Sequence, residues 1–210
     1  VPAPEGEVRA ILKISRATSE KLFRSAFQWA RTRRGLVTLV DKANVLPSMV
    51  FFRKIFDEIA EEFPGVHAEK VYVDAASPYL VTNPRRFDVM VTENMFGDIL
   101  SDLAAGLIGG MGLAPSADIG DSAAVFQPSH GSAPDIAGKG FANPAATILS
   151  AAMMLEWLGS EEAKRGAQLI YRAVEQVLAD PANRTRDLKG TLGCSELGGR
   201  IAAAVEQAEA

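Results

Sequence analysis

The chain has 210 residues, 48% hydrophobic and 23% charged, with a formal net charge of −4, enough apolar material for one large or two small cores. No Lys/Arg run beyond Arg31, Arg33 and Arg34 is present, and those suit a helix C-terminus ahead of Gly35, so a nucleic-acid groove is excluded. A single cysteine (Cys194), two histidines (His67 and His130), no charged-then-apolar leader and no bilayer-length apolar run exclude an internal disulfide and a histidine-rich metal centre, and lead us to expect a soluble, cytoplasmic protein with no membrane partner.

VPAPEGE (1–7) is proline-rich and expected to be irregular. From Thr18, apolar residues at 22, 23, 26, 27 and 30 predict a helix stopped by Gly35. LVTLV (36–40) reads as a short buried strand, followed by a helix through Phe52, Ile55, Phe56, Ile59 and Phe63 that ends at Pro64-Gly65. VYVD (71–74) reads as a strand, then comes a short helix up to Asn83-Pro84, then the strand FDVMV (87–91) and a helix broken at Gly109-Gly110. A loop over 110–122 leads to the strand AAVFQ (123–127), and three helices follow near 143–158, 160–179 and 195–208. Strands alternating with helices predict an α/β fold. The glycine- and proline-bearing stretch at 109–122 is the candidate crossing between two domains.

Within VTENMFGDILSDLAAGLIGG (91–110), Asp98 and Asp102 stand four residues apart on one helix face. Like charges at that spacing cost a few tenths of a kcal/mol. The pair is either solvated helix trim or part of a site for a hard divalent cation that takes carboxylate oxygens. Asp41 and Asp74 end the first two predicted strands, where α/β proteins tend to place their sites. Lys42, beside Asp41, is either a surface lysine or a proton carrier. The loop PSHGSAPDIAGKGFANP (128–144) is either plain structure or a place where backbone approaches a ligand closely. In the second case Asp135 suits a ribose diol and Asn143 an adenine edge. The G-x-G-x-x-G fingerprint is absent.

Four strings, VDKANVL (40–46), VDAAS (73–77), FDVMVTENMFGDILSD (87–102) and HGSAPDIAGKGFANPAATILSAAMML (130–155), resemble the β-decarboxylating dehydrogenases of the isocitrate/isopropylmalate dehydrogenase family from about residue 15 onward. The resemblance implies that family's mixed-sheet, two-domain fold, with residues 1–108 mostly in the dimerising, metal-site domain and 109–210 in part of the NAD-binding domain. It implies Mg²⁺ or Mn²⁺ on Asp98 and Asp102, with Asp74 donated to the same metal across a homodimer interface. It further implies Lys42 as the proton carrier, also in trans, and Asn44 near nicotinamide and substrate. His130, Gly131, Ser132, Ala133, Asp135, Ile136 and Asn143 would form the adenosine-binding loop. Asp135-Ile136 would repel a 2′-phosphate, which implies NAD.

The implied activity is oxidative decarboxylation of a malate-type 2-hydroxy diacid, with 3-isopropylmalate favoured and isocitrate, homoisocitrate and tartrate/malate as alternatives. A truncated, non-catalytic dimerising homologue is the reading from another class. The family's first strand, substrate-gripping arginines and tyrosine acid find no counterpart here, so turnover is expected to need those parts supplied. Gln127 replaces a common Glu. Ile99, Leu103 and Leu107 are expected to supply a helical interface.

Overall fold

A computed structural model describes residues 5–8 and 10–209. The opening residues 1–4 of the expected irregular start lie outside them, and Glu5-Gly6 form a turn. The chain divides into two compact units, Val1–Ser101 and Asp102–Ala210.

The first unit opens with helix α1 (Arg16–Arg31), whose Ser15 cap accepts from the Thr18 N–H at 3.4 Å. Strand β1 (Leu36–Asp41), helix α2 (Pro47–Ala60), strand β2 (His67–Tyr72), helix α3 (Val73–Thr82) and strand β3 (Val89–Val91) follow. The three strands form a parallel sheet in the order β2-β1-β3. β1 is central and buried from Val37 to Asp41, which is why its sequence is mostly apolar rather than an alternation. Phe23 and Phe27 of α1 mesh with Phe52 and Phe56 of α2 at ring separations of 4.6 to 5.3 Å, and Leu39, Met49 and Ile55 complete the core. The arginines after α1 hold the segment ahead of β3. Arg33 Nε bonds Asp88 at 3.1 Å, and Arg34 donates its backbone N–H to Asp88 and its guanidinium to the carbonyls of Arg85 and Phe87.

Two predicted elements differ. VYVD is divided: β1 ends at Asp41 opposite Tyr72, so Val73 has no partner strand, and Val73-Asp74 instead open α3. Asp74 therefore lies in a first helical turn, where its charge complements the helix dipole. The stretch 110–122 is not all loop. Strand β4 (Pro115–Ile119) pairs antiparallel with β5 (Ala124–Pro128). Pro115 opens that strand, a position proline tolerates, and the Gly/Pro/Ser content hides it from the sequence.

Helix α4 (Asn94–Leu107) starts beyond Glu93, whose carboxylate accepts from the Met95 and Phe96 N–H groups at 3.0 and 2.8 Å. The second unit continues with the β4–β5 hairpin and helices α5 (Ala145–Leu158), α6 (Glu161–Ala179) and α7 (Cys194–Glu209). Gly159, left-handed at φ 79°, closes α5; Ser160 caps α6 by accepting from Ala163 N–H at 3.1 Å. The apolar faces of the three helices enclose Ala145, Val174, Val177, Leu197 and Ile201. Parallel and antiparallel pairing thus both occur, in separate sheets. Among the described residues no helix is long and apolar enough to cross a membrane.

Candidate functional site

The parallel register sets Asp41 against Tyr72, so the residues that leave β1 and β2 emerge side by side at the carboxyl edge of the sheet, the usual ligand edge of α/β folds. Lys42 and Asp74 meet there, Nζ to Oδ1 at 2.5 Å. This contact, together with a hydrogen bond from its own backbone N–H, holds the Asp74 carboxyl below the usual carboxylate range. Asp74 is exposed while Lys42 is mostly covered. Asn44 stands in the following turn, exposed, with no side-chain hydrogen bond among the described residues.

Asp41 has a different role from its neighbours. It is fully buried and bound bidentately by Arg53, both N–O distances 2.7 Å, and it accepts the Ala43 N–H at 3.0 Å. The Arg53 guanidinium in turn lies 5.1 Å from the Tyr72 ring centroid, with the Lys42 ammonium 6.0 Å from the same ring. Arg53 and Tyr72 therefore brace the lysine and aspartate. Sequence reasoning missed both, because nothing in the local pattern links a helix arginine to an aspartate twelve positions earlier.

On α4, Asp98 and Asp102 are exposed one turn apart. Asp98 has only Asn94 Nδ2 at 3.4 Å, and neither carboxylate meets a cationic side chain among the described residues. Two bare carboxylates on one face are the donor set a hard divalent cation takes. No three His, Cys, Asp or Glu side chains form a metal-holding group among the described residues, so a cation on this pair would take its further ligands from water, substrate or a second chain. The helix buries Leu100 and Ala105 but leaves Ile99 60% and Leu107 44% exposed, an apolar strip without a partner among the described residues.

A cleft of about 820 Å³ opens in the second unit. His130, Gly131, Ser132, Ala133, Ile136 and Asn143 border it; Asp135 does not, standing exposed on the short turn Pro134–Ile136. Ala133 takes the left-handed conformation, φ 43°, which costs a non-glycine residue about 1–2 kcal/mol and aims the loop into that turn. His130 Nδ1 lies 2.8 Å from the Gly131 carbonyl.

The Asn143 amide is committed at both ends: Oδ1 accepts the Ala145 N–H at 3.0 Å, and Nδ2 donates to Asp187 at 3.0 Å. Buried Thr185 donates to the other Asp187 oxygen at 2.5 Å. Thr185, Asp187 and Asn143 thereby tie the 128–144 loop to the segment ahead of α7. Gly112 fits between them so closely that a Cβ would sit 2.8 Å from both Asn143 Cβ and Asp187 Oδ2. The far wall carries Phe141, Arg186 and Cys194. Sequence reasoning missed Arg186 and Asp187, which lie more than forty residues from the loop they face.

The chain matches the isocitrate/isopropylmalate dehydrogenase family model over residues 3–201. It is 49% identical over 209 residues to a 3-isopropylmalate/3-methylmalate dehydrogenase of Methanocaldococcus jannaschii, which covers 97% of this chain and 62% of that protein. To an isocitrate/homoisocitrate dehydrogenase of Thermus thermophilus it is 53% identical over 179 residues, covering 84% of this chain and 52% of that one. A crystal structure of isocitrate dehydrogenase from Methylococcus capsulatus superposes with a TM-score of 0.90 at 46% identity, over 99% of this chain and 62% of that one. The chain thus spans between about half and three fifths of these relatives' lengths.

Proposed function

The chain belongs to the isocitrate/isopropylmalate dehydrogenase family, and from that premise we propose that it serves the NAD- and divalent-metal-dependent oxidative decarboxylation of a malate-type 2-hydroxy diacid, 3-isopropylmalate first among them. The observation that carries this is the pairing of Lys42 with Asp74 at the sheet's carboxyl edge, in a chain that also presents Asp98 and Asp102 bare of any cation. The names of the relatives favour isopropylmalate-, isocitrate- and homoisocitrate-type substrates.

When bound, NAD⁺ accepts the hydride and Mg²⁺ or Mn²⁺ polarises the substrate oxygens. Asp98 and Asp102 would hold the ion from α4. Lys42 would move the proton of the substrate hydroxyl in a second subunit's site, and Asp74 would keep the ammonium directed across the edge while serving that subunit's ion. The apolar strip of α4, Ile99 with Leu103 and Leu107, forms the homodimer seam that this sharing requires. The 128–144 loop holds the adenosine end of NAD, with Asp135 set against a 2′-phosphate. Residues 1–108 carry dimerisation and metal, and residues 109–210 the cofactor.

The test is NADH formation by the intact protein with Mn²⁺ on 3-isopropylmalate, isocitrate, homoisocitrate, tartrate and malate. Turnover of at least one is expected, and absence of turnover on all five overturns the reading. Asp98→Asn is expected to weaken Mn²⁺ binding by calorimetry without lowering the melting temperature; equal losses of both would return Asp98 to helix trim.

A further inference from the structure

The cleft wall of the second unit contains one lysine or arginine side chain, Arg186. Among the described residues it makes no side-chain hydrogen bond and no ion pair. Its guanidinium lies over the Phe141 ring, Cζ 4.4 Å from the centroid. Asp187, the carboxylate next to it in sequence, makes no ion pair with it and is engaged by Asn143 and Thr185 instead. Much of the remaining wall is small, Gly131, Ala133, Gly138 and Gly140 among it, and beyond Arg186 and Phe141 its one ring is the His130 imidazole.

Taken together, these features describe a plate. A guanidinium is planar, delocalised and weakly hydrated, so it stacks well on π-systems. A ring behind it fixes the plane and spreads the charge. Asp187, next to it in sequence, keeps its negative charge on the same wall, which disfavours a phosphate as its partner. We propose that Arg186, backed by Phe141, is the surface on which the purine ring of the dinucleotide stacks, and that it determines how strongly this cleft holds the adenosine half. The assignment rests on the cofactor reading above and adds a residue to it.

Calorimetric titrations of the intact protein with NAD⁺, adenosine, AMP and inorganic phosphate, repeated on Arg186→Ala, Arg186→Lys and Phe141→Leu, test it. Stacking predicts that Arg186→Ala weakens adenosine and AMP by the same factor, about tenfold, as for other base-stacking side chains. Phe141→Leu moves both in the same direction. Arg186→Lys, which keeps the charge and loses the plane, fails to restore either. Melting temperatures stay level for the two Arg186 variants because the side chain is exposed.

An Arg186→Ala variant that binds adenosine normally overturns the stacking role and leaves the cofactor reading standing. So does one that loses only AMP and phosphate and is rescued by lysine, which marks a phosphate clamp. A wild-type protein that binds neither NAD⁺ nor adenosine overturns both.

Discussion

Asp41 and Asp74 end two adjacent stretches of similar sequence, yet the first is buried and claimed by Arg53 and the second is exposed and claimed by Lys42. Removing one partner of a buried pair leaves an uncompensated charge, which costs about 3–5 kcal/mol. Arg53→Met is therefore expected to lower stability by roughly that amount in denaturant unfolding, whereas Asp74→Asn, at an exposed position, changes stability little and affects function. At the cleft, Gly112→Ala forces a methyl against Asn143 and Asp187 and is expected to cost about 1–3 kcal/mol. It should also loosen the 128–144 loop, read as faster amide exchange. The site acids were visible in the sequence as types at strand ends and at helical spacing. Which of them were free was not, because that depends on Arg53, Tyr72 and Asp187, partners that only the folded register brings near. Asn143 illustrates the limit: the string naming it as an adenine reader gives no sign that its amide is already bound to Asp187.

Between elements, α1 is clamped to α2 by two exposed pairs, Arg16–Glu58 at 2.6 Å and Arg24–Glu62 at 2.7 Å. Their arginine partners hold both glutamates below the usual carboxylate range. A carboxylate depressed in the folded state contributes stability that is complete above its unfolded value and is lost as pH falls through the folded one. Melting temperature is thus expected to fall in mild acid more steeply for the wild type than for a Glu58→Gln/Glu62→Gln double variant, and the difference to shrink in high salt. Tyr171 behaves in the opposite sense. Desolvation and the Glu156 carboxylate push its hydroxyl up to about 12. Its contribution to the α5–α6 contact persists until the unfolded chain ionises near pH 10 and is lost between there and about 12, which an ultraviolet titration compared with Tyr171→Phe checks. Helices were the most legible elements, since their period is long and their stops are glycines and prolines. β4 was not, because five residues led by proline carry no alternation to read. β2 was legible only in its second half, because its first half, HAEK, looks like surface.

For the whole molecule, two of the expected properties lie outside a single chain: the third metal ligand and the cover for α4. The wild type is expected to sediment as a dimer and an Ile99→Glu/Leu107→Glu variant as a monomer. A dimer that survives the change would place the seam elsewhere. The chain also contains one thiol, Cys194, partly exposed on the wall of the cleft. These 210 residues therefore carry a single chemical address, at the place where the adenosine half of a dinucleotide would rest. A chromogenic disulfide should release one equivalent of dye per chain, and ADP-ribose should slow that release in proportion to occupancy. Filling of the cleft then becomes visible as colour, with no substrate, metal or turnover required.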